Sequence, residues 1–267
     1  MPGETSAYRS GLRGYFARTR DPLNSVLFVL PLFVAYQVGI LGTGGIRNGV
    51  DFMTDLLMAG VEFCLGLFFA QVGPGLVLAG YVAFNLLLLL AFLIVVWRLR
   101  HRGKFNPRLW PYLLLESTLY AVLFGSTVHL LMRSVGLDGL TLLERNPSAL
   151  AAGAKGFSPF VALITSIGAG LYEEIVFRAG LLGGLFHVLT RSAGLRRITA
   201  AVAAVVVSSV IFSAVHHFGP LGDPFSLGVF FFRFFAGVLL SLIFTARGFA
   251  VAVYTHAIYD VIVMVLR

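Results

Sequence analysis

The chain has 267 residues, of which 58% are hydrophobic and 12% charged, and its mean hydropathy is +0.90, values that exclude an ordinary soluble globular domain. Apolar stretches long enough to cross about 30 Å of hydrocarbon recur along its length, so the expectation is an all-α, polytopic integral membrane bundle of about seven to eight transmembrane helices forming one structural domain. The net charge of +8 then reflects basic loops on one side of a bilayer rather than nucleic-acid binding, and the single cysteine, Cys64, excludes an intramolecular disulfide or a cysteine-rich metal site.

Residues 1–24 form a basic N-terminal arm that lacks a signal-peptide cleavage pattern. Its Arg13, Tyr15, Phe16, Arg18 and Arg20 suit either an interfacial segment against anionic lipid or a solvated tail. Residues 25–157 read as membrane helices without an assignable motif, with spans at about Ser25–Leu41, Leu76–Trp97 and Trp110–Leu131. Asp51–Val72, punctuated by Asp55 and Glu62, reads either as a span or as an amphipathic interfacial segment. If it does not cross, the arm, the loop from Arg98 to Arg108 and the turn from Arg191 to Arg197 share one side, which the positive-inside rule makes cytoplasmic.

In residues 158–267, Ser158-Pro159 reads as N-cap and first residue of a helix reaching about Thr190, with Gly168-Ala169-Gly170 as a kink or break. Further spans follow at about Ile198–His217, Ser226–Ala246 and Phe249–Leu266. The first of these helices carries Glu173, Glu174 and Arg178 inside an apolar segment, where each ionisable group costs at least about 2.5 kcal/mol and marks function by default. Glu174 and Arg178 are i, i+4 partners, and Glu173 points about 100° away, free to handle protons. A structural ion pair between helices is the competing explanation. Phe212 and His216 share a face of the next span, and His256 and Asp260 share a face of the last. Polar groups in hydrocarbon must find one another, so these three helices are expected to converge.

Glu173-Glu174-x-x-x-Arg178, Phe212-x-x-x-His216 and His256-x-x-x-Asp260, in this order on separate apolar segments, resemble the three motifs of the CAAX-protease and bacteriocin-processing family of intramembrane proteases, which includes the Rce1-type prenyl-protein endopeptidases. The resemblance covers roughly Ser158 to Arg267. It implies a metal-independent glutamic endopeptidase without a cofactor, acting on a membrane-associated protein or peptide. It further implies Glu173 as the base that activates water with His216, Glu174–Arg178 as a pair holding the geometry, and His256 as oxyanion stabiliser oriented by Asp260. Asp260 departs from the asparagine usual in the prenyl-protein endopeptidases, which puts a neutral oxyanion-donor role at that position in doubt. A prokaryotic inner membrane is the expected location, because the loops are short and basic. Three other readings use the same residues: a zinc protease, a transporter's proton or ion path, and a non-catalytic immunity or scaffolding protein. Arg233, within a phenylalanine-rich run, is expected to snorkel or to pair with Asp260 or Asp223, with binding of a substrate carboxylate as the alternative; His129 and His187 are expected to pack, and His217 to pack or to line the mouth of the site.

Overall fold

The computed structural model describes residues 12–44, 46, 74–101, 105–137, 139–140, 157–218, 222 and 224–265. Among them every long element is a helix: α1 (Leu12–Thr19), α2 (Pro22–Gly39), α3 (Pro74–Leu99), α4 (Trp110–Ser134), α5 (Pro159–Arg191), α6 (Arg197–Val215), α7 (Leu227–Arg247) and α8 (Phe249–Met264). By length and composition, Pro22–Gly42, Pro107–Ser134, α5, α6 and α7 can each cross a membrane, and α8 is a shorter apolar helix. The ambiguous Asp51–Val72 segment lies outside the described residues.

The helices start where local chemistry can satisfy their free amides. Asp21 caps α2 ahead of Pro22, Ser158 Oγ accepts from Val161 N at 3.3 Å ahead of Pro159, and Ser226 Oγ accepts from Val229 N at 3.3 Å. The expected break at Gly168-Ala169-Gly170 is instead a change of winding. The α-helix of Pro159–Gly168 continues without interruption into a π-helix over Ala169–Leu182 and returns to α at Gly183. Glu173 and Glu174 therefore lie inside a continuous helix and not at a fresh N-terminus. Wide π turns are rare and concentrate at functional sites.

Helix α8 is the axis of the bundle. Ala250, Val251, Ala252 and Val253 are completely buried, and Tyr254, Thr255, His256 and Ala257 nearly so. Around them pack Phe28 and Tyr36 of α2 and Ile40 just beyond it, Leu113 of α4, and Ile164, Leu171 and Tyr172 of α5. A second cluster joins Phe124, Val128 and Met132 of α4 to Phe232, Ala236 and Leu240 of α7. Small residues set the closest approaches: Gly168 lies under the Tyr36 ring, Gly39 against Ile164, and Gly170 against Val253 and Ala257.

The ends of the helices fix their directions. Asn106 N donates to Asn24 Oδ1 at 3.1 Å, so the α3–α4 connection and the start of α2 share one end. At that end Arg247 binds Glu116 through Nε at 2.5 Å and Nη2 at 2.8 Å, and Nη2 also donates to Thr19 Oγ1 at 3.0 Å. Tyr15 and Tyr120 donate to the same carboxylate at 2.5 and 2.9 Å. The arm's α1 is thus bound into the bundle, with the Arg247 guanidinium 4.1 Å from the Phe16 ring centroid. Gly42, beyond α2, meets Phe160 at the start of α5, so α5 begins at the opposite end and delivers the Arg191–Arg197 turn to the end that holds α1.

Candidate active site

Helices α5, α6 and α8 bring all six expected residues into one contiguous cluster. Glu174 Oε1 lies 3.0 Å from Arg178 Nη1 and accepts from His256 Nδ1 at 2.8 Å. Arg178 also reaches Gly237 O at 3.5 Å, and its guanidinium lies 4.3 Å from the centroid of the Phe212 ring. Phe177 closes that ring edge-on at 5.2 Å. A charge buried this deeply is tolerable only with a partner and a polarisable wall, and both are present.

Glu173 faces the other way. Its Oε2 is 3.5 Å from His216 Nε2 and 3.8 Å from His256 Nε2, while Asp260 Oδ2 stands 3.6 Å from the same His256 nitrogen. His216 is the first residue past α6, and its Nδ1 donates to Phe212 O at 2.6 Å. A carbonyl can only accept, so Nδ1 carries the hydrogen. In the neutral ring Nε2 is then a lone pair aimed at a carboxylate. Two acceptors facing each other require a proton or a water between them.

His256 has two carboxylate neighbours, Glu174 at Nδ1 and Asp260 at Nε2, where Glu173 also approaches. Glu174 therefore joins the ion pair to the imidazole. His217 turns away and packs its ring against Phe225 and Phe230, His129 packs on Phe232, and His187 is on the exposed side of α5. Arg233 is near enough to Asp260 to act on it electrostatically; Asp223, the other expected partner, lies outside the described residues. Among the described residues no three His, Cys, Asp or Glu side chains are arranged to hold a metal ion. Sequence reasoning missed the buried Glu116–Arg247 pair, whose only signal was one charge near each end of two otherwise apolar runs.

A family model described as Type II CAAX prenyl endopeptidase Rce1-like matches residues 155–262. The likeness is to this C-terminal part of the chain. All six cluster residues fall within the matched segment, and the chain carries several helices long and apolar enough to cross a membrane. No curated protein and no solved structure matches the chain.

Proposed function

We propose that this protein is an intramembrane endopeptidase of the glutamic type, hydrolysing a peptide bond of a membrane-associated protein or peptide, and that it resides in a prokaryotic inner membrane. The observation that carries the reading is the pair of facing acceptors, Glu173 Oε2 and His216 Nε2, 3.5 Å apart. A water placed beside them donates one hydrogen to each and presents its lone pair outward, as a nucleophile must. Glu173 takes a proton as the water oxygen bonds to the peptide carbon. The oxyanion is received by His256 when Nε2 is protonated. Collapse breaks the C–N bond, and the proton held by Glu173 passes to the leaving amine. Glu174 and Arg178 touch no reacting atom; they fix His256.

The test is processing in cells. Membrane-fraction proteomics of a strain carrying Glu173→Gln should show uncut precursors that the wild-type protein converts, with turnover falling by about 10²–10⁴. Processing at the normal rate by Glu173→Gln overturns the reading. Activity that disappears in chelator and returns with added zinc moves the cluster to the zinc protease alternative.

A further inference from the structure

We infer that the catalytic cluster is reached from the face of the membrane opposite the basic connections, and that its substrate is an exported polypeptide held in the membrane by an apolar segment. The inference rests on the protease reading and adds the side from which the substrate comes.

Three basic groups gather at one end of the bundle: Arg18 and Arg20 of the arm, Arg98, Arg100 and Arg108 flanking the α3–α4 connection, and Arg191, Arg196 and Arg197 around the α5–α6 turn. The contacts of Asn106 with Asn24 and of Arg247 with Thr19 bind that end together. At the other end the described residues carry Arg133, in the last turn of α4, and no comparable cluster of arginines. Arginine and lysine excess marks the cytoplasmic side.

The cluster opens away from it. His216 follows nineteen residues of α6, about 28 Å of helix from the basic turn. Asp260 lies about 18 Å along α8 from the corner at Gly248. Exposure follows the same direction: the side chains of His216 and Asp260 are each 22% exposed, while Glu174 and Arg178 are 0% and 1%. On the cytoplasmic side the way is filled by Tyr254, which accepts from Trp110 Nε1 at 3.0 Å and donates to Phe28 O at 2.9 Å. A prenylated C-terminus presented in the cytosol would meet this plug, whereas an exported chain meets His216 and Asp260.

Two measurements decide it. In a Cys64→Ser background, Phe218→Cys and Leu195→Cys are each labelled with a membrane-impermeant maleimide in sealed vesicles of known orientation. Right-side-out vesicles should label position 218 and protect position 195, with inverted vesicles giving the reverse; the opposite pattern overturns the inference. The precursors accumulating with Glu173→Gln should be exported polypeptides carrying an apolar anchor; a set confined to cytosolic prenylated proteins overturns it as well. Expected labelling with no precursor of any kind removes the protease reading, and the substrate with it, while leaving the orientation established.

Discussion

Glu174 accepts a 2.8 Å hydrogen bond from His256 Nδ1 through the same oxygen that faces Arg178 at 3.0 Å. One carboxylate thus neutralises a buried guanidinium and fixes an imidazole, while its neighbour Glu173 is left to the chemistry. Adjacent glutamates of the same composition acquire opposite tasks through the directions in which a wide helical turn points them.

Glu174→Gln and Glu173→Gln should therefore separate stability from turnover. The change at position 174 would leave Arg178 buried without its counter-charge, which costs about 3–5 kcal/mol, and would free His256 to rotate. The change at position 173 would keep the shape and remove only the base. Thermal unfolding in detergent should show a large loss for Glu174→Gln and a small one for Glu173→Gln, with turnover falling by about 10²-fold or more in both. Equal unfolding curves for the two variants would contradict this division of labour.

Gly170 sets the distance between α5 and α8. A Cβ there would stand 2.6 Å from both Cβ and N of Ala257 and 2.7 Å from Val253 O. Backbone cannot yield as a flexible side chain can, so Gly170→Ala should push the helices apart, at about 1–3 kcal/mol for the overpacking. His256 would recede from Glu174. A misplacement near 1 Å costs turnover about 100-fold, so kcat should fall further than stability explains. Ala257→Gly added to Gly170→Ala removes one of the clashing groups and should recover part of both losses.

The arm is tied down by charge, and that tie has a pH signature. Burial, and then the hydrogen bond to the Glu116 carboxylate, push the Tyr15 phenol above its ordinary value. The folded protein therefore holds this proton at pH values where the unfolded chain has released it. The stabilisation is complete below the ordinary phenol value near 10 and declines as pH rises above it. Unfolding temperatures measured from pH 8 to 11 should fall at the alkaline end, and Tyr15→Phe should flatten that part of the fall. Glu116→Gln should cost more than Tyr15→Phe at neutral pH, because Arg247, bidentate to Glu116, would lose its only carboxylate partner among the described residues.

Much of this arrangement could be read from the chain before any coordinates. Helix limits follow apolar runs closely because hydrocarbon demands internally satisfied backbone, and Asp21-Pro22, Ser158-Pro159 and Ser226 mark their own starts. The polar cluster was legible for the same reason: Glu173, His216, His256 and Asp260 had nowhere else in the membrane to go. The Glu116–Arg247 pair was not, since 131 residues separate its members and each reads singly as an interfacial charge. Nor was the π winding, because Gly168-Ala169-Gly170 announces close packing and a break in the same letters. The bond from His256 Nδ1 to Glu174 was not legible either, because it depends on the rotation of α8 against α5, which Gly170 sets and no local pattern encodes.

Asp260 offers the sharpest remaining test of the chemistry. Its Oδ2 is 3.6 Å from His256 Nε2, and an ionised carboxylate can accept hydrogen bonds but not donate them. The oxyanion must then be received by His256, and removing one such donor costs about 10²–10³ in kcat. His256→Gln should show that loss or more. Asp260→Asn replaces an acceptor with an amide whose N–H can face the oxyanion as a second donor, so kcat should be retained or should rise. Asp260→Ala provides no donor and should fall below Asp260→Asn. If Asp260→Asn is as inactive as His256→Gln, the carboxylate itself takes part in proton transfer, and the mechanism uses Asp260 rather than Glu173 alone as its base.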